Sequence, residues 1–252
     1  MSDVTGITWT DHTFNPWRGC TKVSAGCEHC YAEATSKRNP AVLGEWGPRG
    51  RRVVGTEDYW RKPIRWDHAA AGAGERRRVF CASMADVFED RPELVAPRSR
   101  LFRLIARTPH LDWLLLTKRP ENLARFLPAD WGAGYPNVWL GTSIEDARVI
   151  GRADHLRAVP AVVRFVSYEP ALGPLADALD LAGLDWLIYG GESGAGRRPE
   201  DKQWARDVRD LCDAHRPRVA FFHKQSAAFK PGQGVELDGR VIQEFPTLRA
   251  AP

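Results

Sequence analysis

From about residue 77 onward the chain repeats one phrase: a short apolar run, a polar or Gly-rich exit, then a stretch with helical spacing. The apolar runs fall at 78–83, 113–117, 138–142, 163–167, 186–190 and 219–223. Continuous Val, Ile, Leu and aromatic runs mark strands buried on both faces, and helices between them impose parallel pairing. The stretches 97–107, 144–158 and 202–215 carry Leu, Ile, Val and Ala at helical intervals. With 7–10 as a first strand, the count reaches six or seven βα units. The pattern predicts an α/β fold, an open or partial (β/α) barrel.

Two segments break the rhythm. Residues 39–74, after the first helix, are rich in Gly, Pro, Arg and Trp and too long for an ordinary βα connection, which predicts an insertion or lid. Near the other end, GVELDGRVIQEFP sets Asp238-Gly239 between two short apolar runs, a β-hairpin signal, so 226–252 is expected to form a hairpin cap. A length of 252 residues suits one domain spanning 1–252. Apolar content of 43% and charged content of 27% fit a packed globular chain. The start, MSDVTGITWT, lacks a basic-then-apolar leader, and no run approaches the roughly 20 apolar residues of a membrane span, so a cytoplasmic protein with no membrane partner is expected. The net charge of +4 permits a phosphate-bearing partner without establishing one.

The cysteines narrow the chemistry. Of five, Cys20, Cys27 and Cys30 crowd into NPWRGCTKVSAGCEHCYAEA. In a reducing compartment such clustering points to metal or catalysis rather than disulfides. Cys81 sits in a strand pattern and Cys212 in a helical one, as small core residues do. Three thiolates can fix three irons of a [4Fe–4S] cube and leave the fourth open to a ligand. Gly19 and Gly26 each precede a cysteine, where positive φ would let the loop curl. A helix beginning after Cys30 would aim N–H groups at an anionic cluster. The same half-site could hold structural zinc, with His12 or His29 as fourth ligand, in a zinc-stapled nucleic-acid-binding protein without catalysis. A thioredoxin-like role for Cys27 and Cys30 lacks its usual surroundings.

Three cysteines ending in Cys-x-aromatic-Cys after the first strand of a partial barrel resemble the radical S-adenosylmethionine (SAM) superfamily, with His29 at the aromatic position. Here six residues separate the first two cysteines, where that superfamily most often has three. The phrases TFNPWRGC, SMADVFED, LLTKRPENL, VWLGTSIED, RFVSYEPALGPL, IYGGESGAGRRP and FFHKQ resemble a phage- and bacteria-associated family of unknown function related to radical SAM enzymes. The resemblance implies a partial barrel of the radical SAM type. It implies one [4Fe–4S] cluster on the catalytic Cys20, Cys27 and Cys30, with the amino and carboxylate groups of S-adenosyl-L-methionine on the open iron. By position, Ser83 and Asp86 would bind the cofactor's methionyl end and Thr142, Ser143 and Glu145 its ribose, with His29, Ser167, Glu169, Gly190, Gly191 and Glu192 as further cofactor-binding candidates. Each exit residue would also serve as a turn or helix cap. The implied reaction is reductive cleavage of SAM to a 5′-deoxyadenosyl radical that abstracts hydrogen, with flavodoxin or ferredoxin as electron donor.

Lys118-Arg119 and His223-Lys224-Gln225 add cations at two exits. Within the insertion, Trp46, Arg49, Arg51, Arg52, Trp60, Arg61, Arg65 and Trp66 mix cations with stacking surfaces, a combination that suits nucleic acid. A loop packed by its own tryptophans would carry the same composition. The expected substrate is a nucleic-acid base or nucleotide, modified or repaired.

Overall fold

Each apolar run beyond residue 77 forms a strand in the computed structural model, which describes residues 5–247. Strands β1 (His12–Thr13), β4 (Arg77–Cys81), β5 (Leu111–Thr117), β6 (Val138–Ser143), β7 (Val163–Tyr168), β8 (Trp186–Gly190) and β9 (Ala220–Gln225) pair in that order, all parallel. The sheet curls into the expected half-barrel. Successive side chains point to opposite faces, so on β8 Trp186 and Ile188 join the inner cluster while Leu187 and Tyr189 join the outer one.

The inner face is plugged by aromatic side chains. Trp186 is fully buried and meets Trp9, Trp139, Phe165, Phe222 and Phe245. This filling stops short of the strand ends, where Ser143, Ser167 and Gly190 take over. The barrel is therefore closed at its floor and polar at its mouth. Outside, α4 (Lys62–Ala73), α5 (Val95–Ala106), α7 (Arg152–Arg157) and α8 (Lys202–Ala214) cover the sheet. Helix α8 buries Ala205, Val208 and Cys212, a stripe at helical spacing, and Asp201 caps its start by accepting the Gln203 N–H at 2.8 Å.

Two expectations are corrected. Residues 7–10 form no strand: the Thr10 N–H donates to the Ile7 carbonyl at 3.2 Å, closing a turn that drops Trp9 into the aromatic plug. Pairing begins at His12, in a strand of two residues. The helix expected over 144–158 is split, because the Asp146 side chain accepts the Arg148 N–H at 2.9 Å and starts a separate short turn, leaving α7 only Arg152–Arg157.

After α1 (Tyr31–Ser36), the stretch 39–74 holds α2 (Pro40–Leu43), β3 (Val53–Val54), α3 (Glu57–Trp60) and α4. Strand β3 pairs antiparallel with β2 (Trp17–Arg18), and α4 packs on β4 and β5, with Trp60 and Trp66 buried. A short α6 (Leu123–Phe126) follows β5. The expected hairpin forms from β10 (Glu236–Leu237) and β11 (Arg240–Val241), turning at Asp238 and Gly239 with φ of 54° and 74°. Residues 1–4 of the expected domain and 248–252 of its cap lie outside the described residues. Among the described residues no helix is long and apolar enough to cross a membrane.

Candidate active site at the strand ends

The chain leaves β1 through Asn15, whose side chain donates to Ser83 Oγ at 3.1 Å and accepts the Met84 N–H at 2.8 Å. This ties the approach to the cysteine loop, 19–30, to the exit of β4. Gly19 then turns with φ 103°, open to glycine alone at little cost, and donates its N–H to the Met84 carbonyl at 3.0 Å. Gly26 adopts no positive φ. A Cβ there would stand 2.4 Å from Glu145 Oε1, so the residue is glycine to let the loop lie on that carboxylate.

Further ties reach the exits of β5, β6 and β8. Arg119 pairs with Asp86 at 2.8 Å, donates to the Thr21 carbonyl at 2.5 Å and approaches Cys20 Sγ at 3.9 Å. Ser24 donates to Glu145 Oε1 at 2.7 Å, and Lys118 and Arg152 pair with the same carboxylate at 2.9 and 2.8 Å. Arg198 clamps Glu192 at 2.6 Å and reaches the Ala25 carbonyl at 3.1 Å, while His29 Nδ1 lies 3.0 Å from Glu192 Oε2. Tyr31 donates its hydroxyl to the Ser83 carbonyl at 2.9 Å. The loop is thus pinned across the barrel mouth.

All three loop cysteines are free and partly exposed, whereas Cys81 and Cys212 are buried. Burial and the Asp86 carboxylate push the Cys20 thiol up to about 12, against the pull of Arg119. Burial also raises Cys30, against the backbone amides of Glu33 and Ala32 at the start of α1. Among the described residues no three His, Cys, Asp or Glu side chains converge on a single ion. Three thiols are the donor set that a [4Fe–4S] cube with one open iron takes, and Lys22, Lys118 and Arg119 stand near them with positive charge. Of the two histidines that could complete a zinc site, His12 stacks on Trp66 at 4.3 Å and His29 sets its Nδ1 against Glu192 at 3.0 Å.

The exit residues singled out in the sequence come to one mouth, but several are turned toward the protein. Asp86 accepts from Thr117 Oγ1 at 2.7 Å and from the Lys118 N–H at 3.1 Å, besides Arg119. Thr142 is sealed in the sheet, donating to the Thr117 carbonyl at 3.0 Å, and the Ser143 carbonyl accepts from Arg152 at 2.9 Å. Ser167 donates to Glu169 at 3.0 Å, which pairs with Lys224 at 2.7 Å. Gly190 packs against Glu169, and the Gly191 carbonyl accepts from Gln225 at 3.0 Å. The carboxylates of Glu145 and Glu192 are the loop's anchors. Ser83, Lys118, Glu169 and Lys224 remain partly accessible at the mouth.

The sequence reading assigned nothing to Asn15, Ser24 or Arg198, whose partners Ser83, Glu145 and Ala25 lie far along the chain, nor to Arg152, which pairs with the nearby Glu145. Arg52, counted there among nucleic-acid contacts, is instead buried against Glu89 at 2.6 Å and donates to Thr21 Oγ1 at 2.8 Å.

A family model described as protein of unknown function (DUF5131) matches residues 4–246. No curated protein matches the chain. Among solved structures, a single-residue variant of spore photoproduct lyase is 17% identical over 86% of this chain and 65% of that one, with a TM-score of 0.53. A second variant of that lyase is 15% identical over 82% of this chain and 62% of that one, with a TM-score of 0.49. The chain therefore spans about 65% of the length of the first, and the likeness is one of fold alone, the parallel half-barrel.

Proposed function

The chain belongs to the family described as protein of unknown function (DUF5131), and from that premise we propose that it is a radical SAM enzyme carrying one [4Fe–4S] cluster on Cys20, Cys27 and Cys30. One observation carries the reading: the loop bearing these thiols lies across the polar mouth of the half-barrel, pinned to strand exits by Asp86, Glu145 and Glu192. Given one electron from a donor such as flavodoxin or ferredoxin, SAM bound at the cluster would lose its C5′–S bond, yielding methionine and a 5′-deoxyadenosyl radical that takes a hydrogen atom from substrate.

The chain's own groups hold this arrangement in place. Arg119 and Lys118 bring positive charge to the anionic cluster, and the aromatic plug closes the floor against water. Ser83, Glu169 and Lys224 are the accessible polar groups to meet the cofactor's charged and hydroxyl ends. The substrate we assign is a nucleic-acid base or nucleotide. The half-barrel shared with a spore photoproduct lyase supports the enzyme reading.

Anaerobic purification with iron and sulfide reconstitution tests it. About four irons and four sulfides per chain, and release of 5′-deoxyadenosine on adding dithionite and SAM, are expected. Stoichiometric zinc without sulfide would overturn it.

A further inference from the structure

Beside the mouth runs an open groove of about 410 Å³ between α1 and the Gly-rich turn after β8. Cys30, Tyr31, Lys37 and Arg38 line one side, and Arg197 and Pro231 the other. Cys30 in the wall makes the groove a route to the cluster.

Its surface chemistry is unlike the rest of the molecule. Of ten Trp, five Tyr and ten Phe, only Tyr31 and Phe229 are strongly exposed, at 55% and 61%. Tyr31 lies in the groove wall; Phe229 does not line the groove but follows Ala228, which pairs with Ser193 and accepts the Gly194 N–H at 3.0 Å, both of them wall residues. The Tyr31 hydroxyl is held by the Ser83 carbonyl, so its ring is fixed before any ligand arrives.

The charges sort in the same way. Glu28 and Glu33 also line the groove, but Glu28 is paired with Arg198 at 3.1 Å and Glu33 with Lys22 at 2.7 Å. Arg38 and Arg197 are exposed and have no carboxylate partner among the described residues. Proteins hold single-stranded nucleic acid with exposed rings on which bases stack and with cations that meet the phosphates.

We propose that this groove seats a single-stranded nucleic-acid segment, with Tyr31 and Phe229 as stacking platforms and Arg38 and Arg197 as phosphate ligands. The assignment deepens the enzyme reading above and rests on it, since the groove leads to Cys30. A base within a duplex would have to be flipped out to enter.

Fluorescence anisotropy on the reconstituted protein tests the assignment. The probes are a short labelled oligodeoxynucleotide of mixed sequence, its duplex, and a Glu-rich peptide of equal net charge. The single strand is expected to bind tightest. Phe229→Ala should weaken it by about tenfold, the loss of one stacked base. Arg38→Gln with Arg197→Gln should flatten the plot of log affinity against log salt by about 0.7 for each phosphate left without its arginine. All three side chains are exposed, and unchanged circular dichroism would establish that the variants fold. Wild-type affinity and slope in both variants would overturn the proposal, as would peptide binding as tight as the strand's, or no strand binding at low salt. The change in the wild-type EPR signal on adding SAM, read on the same preparation, separates the two claims. Its presence without strand binding removes the groove assignment alone, and its absence removes the enzyme reading.

Discussion

Ser24 and Glu145, 121 positions apart in the chain, meet through a hydrogen bond of 2.7 Å, and this bond fastens the cysteine loop to the end of β6. Glu145 is only 1% exposed and is held between Lys118 and Arg152. Replacing it with Ala would leave both cations without their counter-charge, at a cost of about 3 kcal/mol. Ser24→Ala removes one bond to a charged acceptor, about 1.5 kcal/mol. Urea midpoints at unchanged m-value should fall in that order, and both variants should lose iron to a chelator faster than wild type.

The neighbouring arginines Arg51 and Arg52 should behave oppositely. The Arg52 side chain is wholly buried and binds Glu89 through two nitrogens, at 2.8 and 2.6 Å. Its loss strands a buried carboxylate, so Arg52→Ala should cost about 3–5 kcal/mol. Arg51 is exposed and donates to the Ala41 carbonyl at 3.2 Å. Arg51→Ala should change stability by no more than about 0.5 kcal/mol. Equilibrium unfolding of the two variants side by side checks the contrast.

Each loop cysteine should be required for the cluster. Cys20→Ala, Cys27→Ala and Cys30→Ala should each abolish the brown absorbance after reconstitution. Cys81→Ala and Cys212→Ala should retain it, since both side chains lie in the outer core. Iron per chain, measured with the visible spectrum, decides the matter, and a full cluster in all three loop variants would exclude these ligands.

Stability should fall in two stages as the solution is acidified. Burial holds the His223 imidazole below its ordinary 6.5, so the unfolded chain takes up that proton first and stability begins to drop below about pH 6.5. Burial opposes ionisation of Glu89 and Glu145, but Arg52 for the first and Lys118 and Arg152 for the second outweigh it, and both carboxyls sit below 4.5. The stability they contribute is present above that value and lost as pH falls through their folded values, giving a steeper second drop. Urea midpoints across the acid range should show both stages. His223→Gln should remove the first and spare the second.

The strands from residue 77 onward could be read from the sequence because burial on both faces leaves unbroken apolar runs such as LDWLLLT. The first strand could not. Trp9 has a strand-like side chain but is spent as a plug, and the paired residues, His12 and Thr13, are too few to leave a pattern. Helix α4 hid in a stretch whose Arg, Trp and Gly content suggested a loop, because Trp60 and Trp66 pack inward rather than face a ligand. At the site, the thiols and the polar exits announce themselves by residue type. What holds them together does not: Arg198 touches Ala25 across 173 positions, and Arg119 touches Thr21 across 98. Such pairings exist only once the sheet has curled. For the same reason Asp86, Glu145 and Glu192 read from sequence as open acceptors, while in the fold their oxygens face the protein's own cations.

The central claim is that Cys20, Cys27 and Cys30 leave one iron of a cube open to SAM. The most direct measurement is the EPR spectrum of the dithionite-reduced, reconstituted protein before and after SAM is added. A reduced [4Fe–4S] signal whose g-values and line shape shift on adding SAM, and which stays unshifted with S-adenosylhomocysteine, is the expected result. A full complement of iron and sulfide with a spectrum indifferent to SAM would contradict the account.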